Sequence, residues 1–102
     1  FGNSTEVDDL IKYEWARIPH FYRCFYVYKY STGITSAIVI ASKILSGDKK
    51  YVEKYINMLS QGGSKSSLDL LKSVEVDLEK EETYEIAFEY FRKNLKALEE
   101  LV

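Results

Sequence analysis

Apolar residues recur at intervals of three and four along most of the chain, which is the spacing of one face of an α-helix. The pattern is cleanest near the C-terminal end, in the series Tyr84, Phe88, Phe91, Leu95, Leu98 and Val102. It predicts a last helix from about Thr83 to Val102, with this series docked on the rest of the helices. A similar series from Ile34 to Leu45, with Gly47 after it, marks the end of an earlier helix.

The N-terminal third combines a clear break with an ambiguous stretch. Asp8 can cap a short first helix, and Pro19 favours a break before the next one. The residues "FYVYKY" at 25–30 have the β-branched and aromatic composition of a strand. Because only Gly33 gives a turn signal beyond them, the sequence favours one long helix over residues 21–46, with a kink at Gly33.

Cap and turn residues also set the boundaries of the middle helices. Asp48 can cap a helix that ends at Gly62 and Gly63, and a serine at 64, 66 or 67 can start a short helix after it. The residues expected to be buried on the first of these helices are Tyr51, Val52, Tyr55, Ile56 and Leu59. Apolar and acidic residues alternate over 74–78, which predicts an extended connector. The predicted fold is all-α, a bundle of four to five helices.

The composition is that of an ordinary soluble protein, with 46% hydrophobic and 29% charged residues in 102. A net charge of −2 gives no reason to expect nucleic acid or an acidic membrane surface as a partner. The longest apolar run, 37–41, is far too short for a membrane span, and no secretory signal opens the chain. Cytoplasm is therefore the expected compartment, with the single Cys24 as a reduced, packed thiol.

The candidate chemistry is concentrated in "WARIPHFYRCFYVYKYSTG", residues 15–33, which holds the only His, Cys, Trp and Pro. A zinc motif of the HExxH type needs two histidines, and His20 is the only one. No GxSxG elbow accompanies it. Cys24 lies four residues from His20, but a packed thiol is a better interpretation of it than a Cys–His nucleophile.

The strings "EWARIPHFYRCFYVYKYSTGITSA", "ILSG", "GGS" and "VDL" resemble the C-terminal end of oligoendopeptidase F, in the thimet-oligopeptidase group of zinc metallopeptidases. The resemblance implies that residues 1–102 are a single helical fragment, the C-terminal portion of a peptidase catalytic domain. It also implies that the parent enzyme hydrolyses short peptides with zinc held upstream by HExxH and a glutamate. This fragment would then bind no zinc and be inactive alone.

The resemblance further implies site residues on the wall of a substrate groove. His20 matches a family histidine that contacts the transition state, and nearby tyrosines compete for the neighbouring roles. Phenol O–H and imidazole N–H groups are suitable donors for the oxyanion formed in peptide hydrolysis. The expected catalytic residues are His20, Tyr26 and Tyr28, and the expected substrate-binding residues are Tyr22, Tyr30, Gly62 and Gly63.

Helical geometry restricts which tyrosines can accompany His20. In one continuous helix Tyr22, Tyr26 and Tyr30 form a stripe that excludes His20, and Tyr28 lies nearest to it. If Pro19 instead places His20 in a loop, this restriction disappears. The sequence leaves both arrangements open.

The expected partners follow from the same resemblance. They are short peptide substrates and the remainder of the catalytic domain, with neither nucleic acid nor membrane. Apolar surface exposed by excision is expected to make the isolated fragment self-associate. The alternative function is a stand-alone helical module that binds another protein through its aromatic residues.

Overall fold

The computed structural model describes residues 4–101, and its regular elements are helical. No strand occurs in this range, so the all-α prediction is confirmed. The chain divides into two compact units, and the boundary lies between Tyr30 and Ser31. The helices with both ends inside residues 4–101 are two 3₁₀ helices, Asp9–Arg17 and Pro19–Tyr22, and four α-helices, α1 (Tyr28–Leu45), α2 (Lys49–Ser60), α3 (Ser67–Ser73) and α4 (Glu81–Glu99).

The first unit begins as the cap and proline signals predict. The Asp8 carboxylate accepts a hydrogen bond from the backbone N–H of Leu10 at 2.7 Å and so caps the first 3₁₀ helix. Ile18 is extended (φ −90°, ψ 107°), and Pro19 occupies the first position of the second 3₁₀ helix. The predicted break at Pro19 is confirmed.

The prediction of one helix over residues 21–46 is wrong at its N-terminal end. Arg23 is extended (φ −101°, ψ 117°), and Phe25 has a positive φ of 56°. Neither conformation can continue a right-handed helix, so α1 begins only at Tyr28. From there it continues through Gly33 to Leu45.

The core of the second unit is small and lies where α1, α2 and the α3–α4 connector meet. Val39, Tyr51, Val74 and Val76 are 0–3% exposed. The Tyr51 hydroxyl donates to the carbonyl of Val74 at 2.8 Å, so the one polar group of this cluster is satisfied. The partly buried residues around it are Ile40, Ile44, Met58, Leu71 and Leu78.

Residues 74–78 were predicted to be an extended connector, and this prediction is wrong at residues 74–76, which form the C-terminal cap of α3. The backbone N–H of Glu75 donates to the Lys72 carbonyl and that of Val76 to the Leu71 carbonyl, both at 3.0 Å. These two bonds form a Schellman motif, which requires a left-handed residue, and Glu75 has φ 61°. The motif turns Val74 and Val76 into the core.

The left-handed Glu75 is held by two lysines from two other helices. Its carboxylate pairs with Lys43 of α1 and with Lys54 of α2, each at 2.6 Å. Hydrogen bonds and the positive charge of these lysines lower the pKa of Glu75 to about 2. We call these two ion pairs, Glu75 with Lys43 and Glu75 with Lys54, the clamp. The clamp attaches the end of α3 to α1 and α2.

Helix α4 is anchored at its start and exposed along the rest of its apolar series. The Thr83 hydroxyl donates to the Asp77 carbonyl at 2.6 Å, and the Tyr84 hydroxyl donates to the Leu78 carbonyl at 2.9 Å. Thr83 and Ala87 are buried, whereas the predicted apolar series is exposed from Phe88 onward. The expectation that this series docks on the fragment's own helices is wrong. Its last member, Val102, lies outside the described residues.

The apolar stripes predicted for α1 and α2 are only partly buried. On α2 Tyr51 is buried, but Ile56 and Leu59 are 58% and 55% exposed, and Met58 packs on the core instead. On α1 the predicted series Ile34, Ala37, Ile38, Ala41 and Leu45 has no buried member, and the buried residues are Thr35, Ser36 and Val39. On α1 the core is formed from Val39 with Ile40 and Ile44 beside it, which are not members of the predicted series.

We predict that Tyr51→Phe lowers the free energy of unfolding of the 102-residue chain by about 1–3 kcal/mol, because the buried Val74 carbonyl loses its donor. Urea unfolding followed by circular dichroism measures the change. Tyr55→Phe, on the same helix and less buried, is the control and should have a much smaller effect. Equal stability of Tyr51→Phe and wild type would contradict the prediction.

We also predict that Glu75→Gln destabilises the chain in a pH-dependent way. The carboxylate pairs are substantially exposed, so solvent screening limits their stabilisation to about 1 kcal/mol in total. The pKa of Glu75 is depressed, so the stabilisation is complete above pH 4.5 and disappears as the pH falls through about 2. Unfolding curves of both proteins over this range test it. A constant difference at all pH values, or an equal effect of Glu53→Gln, would exclude the clamp.

Candidate functional site

The candidate site is built by the break around Pro19 and the irregular backbone after it. His20 lies on the second 3₁₀ helix, Tyr26 follows the left-handed Phe25, and Tyr30 lies in the first turn of α1. In one continuous helix, Tyr26 and Tyr30 would share one face and His20 would lie outside it. The extended Arg23 and the left-handed Phe25 interrupt the helix instead, and the His20 ring lies beside the rings of both tyrosines.

Three of the predicted residues come together in one group, called here the His20 cluster: His20, Tyr26 and Tyr30. The ring centroids lie 5.5 Å apart for His20 and Tyr26, 6.3 Å for His20 and Tyr30, and 6.0 Å for the two tyrosines. The planes are tilted or perpendicular, as aromatic edges and faces prefer. His20 is exposed, Tyr30 is 56% exposed, and Tyr26 is half-buried. The cluster is therefore open to a ligand.

Two cations lie against the ring of Tyr26. The Lys29 Nζ is 3.7 Å from the ring centroid, and the Arg23 guanidinium carbon is 5.6 Å from it. A hydrogen bond from the Tyr30 hydroxyl, followed by the charge of Lys29, lowers the pKa of Tyr26. The same bond raises the pKa of Tyr30, which donates it. The two phenols are thus made chemically different.

Sequence reasoning missed Lys29 as a member of this site. It lies three residues after Tyr26, a spacing that brings two side chains close together on a helix as well as in this segment. The histidine and the tyrosines of this segment were considered as candidate catalytic groups, and its lysine was not.

Tyr22 and Tyr28 are placed apart from the His20 cluster. The Tyr22 hydroxyl donates to the Ala16 carbonyl at 2.5 Å and ties the two 3₁₀ helices together. Tyr28 begins α1 and is 62% exposed, and none of the ring contacts among residues 4–101 joins it to His20. The predicted proximity of Tyr28 to His20 applied to a continuous helix, which the chain does not form here.

Gly62 and Gly63 lie in the turn between α2 and α3, in the second unit. Gly62 is left-handed (φ 53°), the conformation predicted for the helix stop. A Cβ at either glycine would contact nothing within 4 Å. The turn accounts for Gly62, and a substrate contact at these glycines stays a prediction.

Cys24 is a free thiol, but it is exposed, so the expectation that it is packed is wrong. Within residues 4–101 no group of three or more His, Cys, Asp or Glu side chains is placed to hold a metal ion. The neighbours of His20 are phenols rather than the donors that zinc prefers, so these residues do not fit a zinc site.

A model of Peptidase family M3 matches residues 1–90, and the chain belongs to this family. It is 41% identical over 102 residues to Oligopeptidase PepF of Bacillus subtilis (strain 168), which covers 100% of the chain and 15% of that protein. It is 44% identical over 101 residues to an Oligoendopeptidase F homolog of Borreliella burgdorferi, covering 99% of the chain and 17% of that protein. The resemblance to oligoendopeptidase F is confirmed.

A third relative is the plasmid-encoded Oligoendopeptidase F of Lactococcus lactis subsp. cremoris, 42% identical over 92 residues. These residues are 90% of the chain and 15% of that protein. The chain thus spans about a sixth of the length of the relatives it matches. No solved structure matches it. None of the helices within residues 4–101 is both long and apolar enough to cross a membrane.

We predict that Tyr30→Phe raises the pKa of Tyr26, because the phenolate of Tyr26 loses the hydroxyl that donates to it. Titration of ¹³C-labelled tyrosine side chains by NMR measures the shift. Tyr28→Phe removes a phenol of the same segment outside the cluster and should leave the pKa of Tyr26 unchanged. A pKa of Tyr26 that does not respond to Tyr30→Phe would refute the bond.

Proposed function

We propose that the chain is the C-terminal part of the catalytic domain of a zinc-dependent oligoendopeptidase, and that the His20 cluster forms part of the wall of its peptide-binding groove. The supporting comparison is membership of Peptidase family M3 together with the oligoendopeptidase F names of its relatives. The supporting observation is an exposed imidazole with two phenols around it.

The chemistry of the cluster suits the hydrolysis of a peptide bond. Attack on the carbonyl carbon places negative charge on the carbonyl oxygen, and donors aimed at that oxygen stabilise the transition state. The His20 ring offers an N–H and Tyr26 an O–H. Lys29 lies on the Tyr26 ring, and its charge favours the developing negative charge near this phenol.

Within this proposal the residues have different roles. His20 and Tyr26 are the catalytic donors, and Tyr30 packs beside Tyr26 with the ring centroids 6.0 Å apart. Tyr28 has less support than Tyr26 because no ring contact joins it to His20. Substrate contacts by Tyr22, Gly62 and Gly63 remain part of the proposal without a supporting distance.

The remainder of the protein completes the enzyme in this proposal. Residues outside the 102 would hold the zinc ion and the rest of the groove, so the fragment alone would be inactive and bind no zinc. The substrates are short peptides, and the compartment is the cytoplasm, with neither nucleic acid nor membrane as a partner.

The test is His20→Gln in the full-length protein, assayed on a short fluorogenic peptide. We expect kcat to fall roughly 10²–10³-fold, the usual effect of removing one donor to an oxyanion. The zinc content, measured by mass spectrometry, should not change.

Tyr28→Phe is the matched control for Tyr26→Phe, since both remove one hydroxyl from neighbouring turns. We expect Tyr26→Phe to reduce kcat strongly and Tyr28→Phe to leave it within a few-fold of wild type. Unchanged turnover in His20→Gln would refute the role of the cluster, and loss of zinc in that variant would assign His20 to metal binding instead.

A further inference from the structure

Helix α4 carries an uncovered apolar series along its C-terminal two-thirds. We call this series the α4 seam: Phe88, Phe91, Leu95 and Leu98. These side chains are 52%, 64%, 43% and 56% exposed. They lie beyond Ala87, which is the last buried residue of the helix within the described part of the chain. Four large apolar side chains on one stripe form a contiguous patch, and patches of this size often mark a binding surface.

The spacing of the seam indicates the shape of what covers it. Its members step by three, four and three residues and continue the series from Tyr84, which is the a/d repeat of a helix that packs along a second helix. Phe88 and Leu98 are ten residues apart, about 15 Å along the axis. Beside the seam, Arg92 pairs with Glu85 at 3.0 Å and with Glu89 at 3.3 Å. Because Arg92 already has carboxylate partners on α4 itself, we expect the apolar stripe to be the part of this surface that contacts a partner.

The area of the seam argues against a second copy as its occupant. Half of the surface of four such side chains is roughly 400 Å², given about 200 Å² for a large side chain. A stable interface between separate proteins buries about 800 Å² on each partner. A helix of the same polypeptide needs no such area, because its effective concentration is high. The relatives are about six times as long as this chain and leave ample length for one.

We propose that an amphipathic α-helix from the part of the polypeptide outside these 102 residues lies along the α4 seam from Phe88 to Leu98. The inference rests on the proposed function only in assuming the longer parent. It makes the seam an internal packing surface of that parent, while the isolated fragment leaves it open.

The experiment introduces one cysteine at a time into the full-length protein, as Phe88→Cys, Phe91→Cys, Leu95→Cys and Leu98→Cys. Lys93→Cys, on the other side of α4, is the matched control. Native protein is treated with N-ethylmaleimide, and labelling of each α4 peptide is followed by mass spectrometry. We expect all four seam thiols to react at least tenfold more slowly than the Lys93→Cys thiol, and all five to react alike in urea.

Labelling of the seam thiols as fast as the control would overturn the proposal. Protection at Phe88→Cys but not at Leu98→Cys would also overturn it, because a helix along the seam must cover both ends. Sedimentation velocity identifies the occupant: protection found only in a dimer would assign the seam to a second copy.

A measurement on the unmodified protein covers the case in which a seam variant does not fold. Hydroxyl-radical oxidation of Phe88 should fall well below that of Tyr90, after each rate is divided by its rate in urea. Both residues are 52% exposed in the isolated chain, so equal oxidation would overturn the proposal. None of these measurements uses peptidase activity, so they can succeed or fail independently of the role of His20.

Discussion

The hydrogen bond from the Tyr51 hydroxyl to the Val74 carbonyl joins α2 to the residue that follows α3, inside the core of the second unit. The acceptor follows the end of α3 at Ser73, and with the left-handed turn at Glu75 both Val74 and Val76 are 0% exposed. The start of α4 then hydrogen-bonds to the same connector through Thr83 and Tyr84. The second unit is therefore organised around one turn whose buried carbonyl has its donor on α2.

Local signals in the sequence predicted the helices well wherever a cap or a break was involved. Asp48 caps α2 through the N–H groups of Lys50 and Tyr51, and Ser66 caps α3 through that of Asp69. These signals act within one helical turn and do not depend on the rest of the protein. The left-handed turn at Glu75 was not predictable in this way, because glutamate is not a usual residue for that conformation and two distant lysines stabilise it.

The candidate site was predicted in its residues but not in its geometry. The combination of His20 with several tyrosines singled out the segment, whereas the selection of Tyr26 and Tyr30 depends on the extended Arg23 and the left-handed Phe25. An aromatic residue with positive φ leaves no sequence signature. Burial along α1, α2 and α4 was overestimated for a related reason: periodicity shows which face is apolar, but not whether this chain contains the element that covers it.

The clamp around Glu75 gives the second unit a part that dissolved ions can reach. Glu75 and Lys54 are each 52% exposed, so mobile counterions compete with both pairs, whereas the valines beneath are sealed from solvent. Ionic strength should therefore loosen the attachment of the α3 terminus to α1 and α2 while the apolar contacts persist. The other exposed ion pairs of the unit, such as those of Lys72 and Arg92, respond to salt in the same way, whereas the buried valines do not.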